Sequence, residues 1–210
     1  MPSTSMFSTR AVLILVAALL VFWAVGAYNR LVRLRSAMVA AWGPLDAQLK
    51  RRHGLARELG EMLGGALPAD APLAERAVIE AVVAASRQAD AACGHIHGRP
   101  VDAGGVQSLG VAERTLDHAL RSLRRVFDAH AGLLNEPSLG ERTESLMQAL
   151  QQTEAQIAFG RQQHEQSVQA LNAAVTEWPT RVIAALFNVR RTTSLPQPEP
   201  LSEVHEPSRL

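Results

Sequence analysis

The sequence predicts an all-α protein: an N-terminal transmembrane helix that runs into an antiparallel four-helix bundle, with a short C-terminal amphipathic helix. Three observations predict it. Residues 11–28 form an uncharged apolar run. Four later stretches repeat apolar residues at three-to-four spacing, the period of a helix with one buried face. Aromatic residues make up only 4% of the chain, while Ala, Leu, Arg, Glu and Gln dominate its middle, a composition that favours helix over sheet. At 210 residues there is room for one ordinary domain with appendages.

Residues 1–10 read as a short exposed tail. The run from Ala11 to Tyr28 makes a helix of ~27 Å, close to the ~30 Å of a bilayer's hydrocarbon core. Trp23 and Tyr28 near its end suit the membrane interface, with Arg30, Arg33 and Arg35 beyond them. A cleaved signal peptide is the rival reading, with Val25-Gly26-Ala27 as a small-residue cleavage site. The apolar run exceeds the ~7–15 residues of a signal core, and Arg10 alone precedes it. Cations are retained on the cytoplasmic side, so the expected placement is the inner membrane, single-pass, N-terminus outside and residues from 29 onward in the cytoplasm.

Residues 29–189 then divide into helices. The first continues to about residue 63, with Leu31, Leu34, Met38, Ala41, Leu45, Leu49, Leu59 and Met62 on one stripe. Gly43 and Pro44 interrupt this stripe, and proline's missing amide predicts a kink where anchor meets bundle. "GGALPADAP" ends the helix. A second, over 73–92, has a small-residue face of Ala74, Ala77, Ala81, Ala84, Ala85 and Ala92, which predicts a close neighbour. "CGHIHGRPVDAGGV" is the next expected break, before a third helix over 106–133. Ser138 and Glu141 have capping-box spacing, so a fourth helix is expected over 138–177 with Pro137 outside it. A short helix over 180–189 and a Pro-rich, disordered tail over 190–210 complete the chain.

Lengths and charges predict the pairing. The first helix beyond Tyr28 and the fourth each extend ~55–60 Å, so an up-down fourth helix returns to the membrane, while the shorter second and third cover the far end. Residues 28–63 carry seven cations and three anions, and residues 139–177 five anions and two cations. Opposite signs on facing helices bias their choice of partner. The return brings Trp178, Arg181, Phe187, Arg190 and Arg191 to the lipid surface. There the short helix either dips into the interface, with its arginines over anionic headgroups, or caps the bundle's own apolar end.

Two stretches carry a family resemblance. "YNRLVRLRSAMVAAWGPLDAQLKRRHGL" resembles a signature of the LemA family of bacterial membrane proteins, matching at Tyr28, Asn29, Ala41, Trp42, Asp46, Gln48, Leu49, Lys50, Arg51 and Arg52. The segment from Leu150 to Val189 resembles that family's second signature at Glu154, Ile157, Ala158, Arg161, Val168, Asn172 and Pro179. The chain departs from the family pattern at Gly43-Pro44, at Leu171, where a tyrosine is usual, and at Trp178, where a phenylalanine is usual. The resemblance implies a single-pass protein with a cytoplasmic helical bundle and no known catalytic activity. It also implies a set of motif residues for docking partners: Asn29, Trp42, Asp46, Gln48, Lys50, Arg51, Arg52, Asn172 and Pro179.

The formal charge of +1, without a basic face interleaved with aromatics, gives no reason to expect nucleic acid. A single cysteine excludes an intrachain disulfide framework. Cys93, His95 and His97 are the one compact metal-capable set, but their spacing lacks the second ligand pair of a zinc site. His53, His118, His130, His164 and His205 are isolated, and solvated positions are expected for them; His164 alone falls on an inward face. No P-loop, Gly-x-Ser-x-Gly or His-Glu-x-x-His occurs. Lys50-Arg51-Arg52 reads as a solvated face, or as a patch for an acidic partner or the fourth helix. The expected function is a non-enzymatic membrane-anchored scaffold or adaptor without a cofactor. It would meet the bilayer, unidentified cytoplasmic or membrane protein partners and possible further copies of itself. The alternative is a membrane-shaping protein that acts through its C-terminal helix and oligomerisation.

Overall fold

A computed structural model describes residues 3–68, 70–97, 103–129, 137–178 and 180–195. Five helices follow in order: α1 (Ser3–Ala66), α2 (Leu73–His97), α3 (Ala103–Ala129), α4 (Pro137–Thr176) and α5 (Thr180–Leu186). No strand occurs among the described residues. Helix α1 holds the one candidate membrane span found among them, with an 18-residue window of mean hydropathy 2.5 that is 6% buried. Apart from Trp23 and Ala24, which are half-buried, the apolar side chains from Val12 to Val25 are exposed.

The bundle is stacked in three apolar tiers. Nearest the span, Leu31 and Met38 of α1 meet Val168, Leu171 and Ala174 of α4 and Ile183 and Ala184 of α5. In the middle tier α2 and α3 join, as Trp42, Leu45 and Leu49 pack with Cys93, Ile96, Val106, Leu109 and Ile157. The far tier joins Leu59 and Leu63 to Val82, Leu116, Leu123, Leu146 and Leu150. The molecule is thus a two-helix stem, clasped by α5, that widens to four helices. Contacts between α1 and α4 run in opposite directions along the two chains, Arg30 to Glu177 at one end and Arg142 to Glu58 at the other. The fourth helix therefore returns to the span, on the antiparallel course predicted from lengths and charges.

Gly43 and Pro44 lie where stem becomes bundle, and α1 remains one helix through both. Pro44 is exposed, while Trp42 and Leu45 on either side are buried. Their packing offsets the ~3 kcal/mol that an interior proline costs. A Cβ on Gly160 would lie 3.4 Å from Leu45 Cδ1, so the glycine lets α4 approach α1 closely there.

Several boundaries differ from expectation. The N-terminal tail is helical from Ser3. Helix α2 does not stop at Ala92 but continues through "CGHIH", because Cys93 and Ile96 extend its buried stripe. That stripe is Glu75, Ile79, Val82, Ala85, Ser86, Ala89, Cys93 and Ile96. Ala74, Ala77, Ala81 and Ala84 face solvent instead, since Ile79 and Val82 bury more apolar area than alanines on the other face would. Pro137 is the first residue of α4 rather than a stop outside it, a position where proline's missing amide costs nothing. Helix α5 ends at Leu186, where Asn188 takes a left-handed φ of 51° and the Val189 amide donates back to the Ala184 carbonyl at 2.9 Å. The tail does not begin disordered at residue 190: Thr192 and Leu195 are buried, and Leu195 joins the middle tier. The expectations for residues 98–102, 130–133 and 196–210 lie outside the described residues.

Candidate functional site: a buried ion layer and a span-proximal platform

Between the middle and far tiers the apolar packing gives way to charge. Arg52 on α1 donates through Nη1 to Glu113 Oε2 on α3 at 2.7 Å and through Nη2 to Asp117, one turn further along α3. Its Nη2 also lies 3.8 Å from Glu154 of α4. His53 shares a hydrogen bond of 2.5 Å between Nε2 and Glu113 Oε1, and its Nδ1 is 3.9 Å from Asp90 of α2. Arg161 of α4 stands 3.7 Å from Glu113. All four long helices thus contribute to one layer around Glu113.

Burial alone would raise the Glu113 pKa. The hydrogen bond from His53 and the charges of Arg52, His53 and Arg161 outweigh it and hold the carboxyl below its ordinary value. Burial likewise opposes the Arg52 charge, but Asp117 and Glu113 outweigh it and keep the guanidinium protonated. Nearly two turns of α1 toward the stem, Asp46 accepts from Lys50 Nζ at 2.8 Å and from the Cys93 thiol at 3.0 Å. Burial, and then Asp46, push the Cys93 pKa upward, so the thiol stays protonated. Both oxygens of Glu113 are engaged by cationic or imidazole donors. Such a layer compensates each buried charge with a partner from a neighbouring helix.

These positions revise the sequence reading. His53 is buried in the ion layer rather than solvated. The Lys50-Arg51-Arg52 cluster is neither a solvated face nor a patch for α4 alone: Lys50 turns to Asp46, Arg51 is exposed, and Arg52 is buried mainly against α3. Of the motif residues read as docking points, Trp42, Asp46 and Arg52 are buried in the folded bundle, and Gln48 and Lys50 partly so. Asn172 holds the chain after α5, donating to the Thr192 carbonyl at 2.8 Å and accepting from the Thr192 amide at 2.9 Å. Only Asn29 and Arg51 are exposed, and Pro179 lies outside the described residues. Sequence reasoning missed Glu113 and Asp117, although a carboxylate among Leu109, Ala112 and Leu116 on a buried stripe is a readable signal. His164 is inward as expected; its ring lies 5.4 Å from Trp42, edge-on, and burial lowers its pKa. Among the described residues no group of three or more His, Cys, Asp or Glu side chains is arranged to hold a metal.

The second feature lies beside the span. Trp178 stacks at a tilt on Trp23 with centroids 5.9 Å apart, and Phe187 meets Tyr28 at 4.7 Å. Arg30 pairs with Glu177 at 3.4 Å, both well exposed. Helix α5 buries Thr180, Ile183 and Ala184 against the stem. Its other face leaves Val182, Leu186 and Phe187 in the open, together with Trp178, which is 79% exposed. Arg33, Arg35, Arg181, Arg190 and Arg191, expected at the lipid surface, are all exposed.

Residues 41–205 match the family described as LemA family, over most of the chain. The chain belongs to the LemA family. No curated protein and no solved structure gives a significant match. The family match begins at Ala41, so it includes the whole ion layer of this LemA protein and stops short of Trp23, Tyr28 and Arg30. It also reaches past Leu195, whose packing makes the first part of the tail a piece of the bundle. On the outer surface of α1 and α4, Arg51, Leu55, Arg57, Glu58, Met62 and Arg142 line an open cleft of about 670 Å³, between the ion layer and the far end.

Proposed function

We propose that this LemA protein is a non-enzymatic, membrane-anchored scaffold. In this reading residues 11–28 cross the inner membrane with the N-terminus outside, and the bundle stands in the cytoplasm as a rigid display for protein partners. The continuity of α1 carries the proposal: a single 64-residue helix, ~96 Å long, runs from the apolar segment to the far end of the bundle. A display set on such a strut keeps a fixed distance from the bilayer. The surplus of Arg30, Arg33 and Arg35 over Arg10 supports the orientation. In the cleft Arg51, Arg57 and Arg142 outnumber Glu58 and Glu61, with Arg142 paired to Glu58, and this small surplus supports an acidic partner segment, with Leu55 and Met62 as the apolar floor.

Photocrosslinking in cells tests this, with the crosslinker placed at Arg51 or Arg57 in the cleft and at Ala81 on the exposed side of α2 as reference. The expected result is a discrete protein adduct from the cleft positions and none from Ala81. Identical patterns from both would refute the display reading. Orientation is read separately from Ala81→Cys with an impermeant thiol reagent, because Cys93 is buried and unreactive in either topology. Labelling in intact cells would overturn the cytoplasmic placement.

A further inference from the structure

We infer that the exposed face of α5, with Trp178, is a second membrane contact that lies in the interfacial layer of the bilayer over anionic headgroups. The inference rests on the membrane crossing proposed above and is independent of partner display. Three observations meet here. The first is length. Arg10 and Arg30 bracket the uncharged run, which as a helix covers ~29 Å against a hydrocarbon core of ~30 Å. The span has no residues to spare, so lipid must reach down to Tyr28.

The second is depth. Trp178 touches Trp23, which lies one and a half turns, ~7–8 Å, inside Tyr28. Ala24 and Ala27 of the span are packed by the same cluster that holds Ile183 and Ala184. The end of α4 and all of α5 are therefore level with the last turns of the span. Interfacial helices bury their apolar face ~5–10 Å below the headgroup boundary, the same range. The third is chemistry. Leu186 is 75% exposed and Phe187 53%, Phe187 beside Tyr28 of the span, and Arg181, Arg190 and Arg191 precede and follow them in the chain, all exposed. Apolar tips inward with arginines at the rim is the pattern of a helix lying on an anionic surface. The face of α5 turned toward the protein also caps the stem, so the two roles anticipated for this helix fall on its two sides.

The test uses the full chain reconstituted in vesicles of phosphatidylcholine and phosphatidylglycerol. A nitroxide is attached at Leu186→Cys, with Leu15→Cys as the span reference and Ala81→Cys as the aqueous reference; all three positions are exposed, and buried Cys93 stays unlabelled. Collision with oxygen and with a water-soluble nickel complex reads depth. The Leu186 label is expected to be oxygen-accessible and nickel-shielded, shallower than Leu15. Replacing Arg181, Arg190 and Arg191 with Gln should lower its immersed-to-exposed ratio about fivefold per arginine. That loss should occur in vesicles with phosphatidylglycerol and shrink in phosphatidylcholine alone. A Leu186 label as nickel-accessible as Ala81, beside an immersed Leu15, would overturn the inference and leave the span intact. Shielding from both reagents would overturn it in favour of a protein contact, such as a second copy. A nickel-accessible Leu15 would overturn the span as well.

Discussion

Replacing Arg52 with methionine keeps most of the apolar stem of the side chain and removes its charge from the centre of the ion layer. Arg52 and Glu113 side chains are 5% and 4% exposed and 2.7 Å apart, so the pair belongs to the buried regime. There, removing one partner costs ~3–5 kcal/mol, because the other charge is left uncompensated. Glu113 would retain His53 at 2.5 Å and Arg161 at 3.7 Å, which places the expected loss near the lower end, about 3 kcal/mol. Out of a total of ~5–15 kcal/mol this is a large fraction. The assay is urea unfolding of the full chain in micelles, followed by helical circular dichroism, with midpoint and slope compared. Arg52→Met combined with Glu113→Leu should lose less than the sum of the single changes, by more than ~1 kcal/mol. Arg30→Gln, which breaks an ion pair with both partners about half exposed, should cost under ~1 kcal/mol. If Arg52→Met cost no more than Arg30→Gln, or if the two ion-layer changes were additive, the role given to the layer would be wrong.

Acidification should destabilise the bundle in two windows. His164 has a lowered pKa in the folded state, so below its ordinary value of 6.5 the unfolded chain takes up a proton that the folded one resists. Stability should fall in that window, and His164→Leu should flatten it in unfolding curves taken between neutral and mildly acidic pH. The Glu113 pKa is also lowered, but for an acid: its contribution is complete above its ordinary 4.5 and is lost as pH falls toward the folded value. Glycine substitutions should split by site. A Cβ at Gly54, in the interior of α1, meets nothing within 4 Å, so Gly54→Ala should stabilise by about 0.5–1 kcal/mol. At Gly60 the Cβ would lie 2.7 Å from Val83 Cγ2, a branched side chain, so Gly60→Ala should destabilise by about 1–3 kcal/mol, and thermal scans should show opposite shifts. Asn172→Ala removes two hydrogen bonds to Thr192 and should cost about 1–2 kcal/mol, with faster hydrogen exchange at the Thr192 amide and little change in the far tier.

The long apolar N-terminal helix, the number of helices and the antiparallel return of α4 were legible because they rest on long-range regularities: an uncharged run, a three-to-four period, and matching lengths. The inner face of α2 was not. Alanine is small enough to be apolar inside and tolerable outside, so the stripe through Ala77 and Ala81 and the one through Ile79 and Val82 both satisfy the period. Only the opposing surface of α1, where Gly60 receives Val83, selects between them. His53 was misplaced for a related reason. A lone histidine among cations looks solvated until a carboxylate 60 residues away in sequence, Glu113, is known to face it. Glu113 itself was readable as a charge inside an apolar stripe, but its partners on α1 and α4 were not. The tail misled through its composition: prolines from residue 196 onward masked Thr192 and Leu195, which are bound by Asn172 and the middle tier.

Those two residues give α5 a property of its own. The helix is held at both ends, by α4 before it and by the Val189–Leu195 strap after it, which runs from the tier of Met38 to that of Trp42 and Leu45. Four to seven residues of α1 separate Met38 from Trp42 and Leu45, a descent of ~6–10 Å. Helix α5 is therefore the tip of a closed loop and has no slack with which to unfurl across a bilayer. Leu195 lies in the middle tier, so the strap leads the chain away from the long apolar segment and along the flank of the bundle.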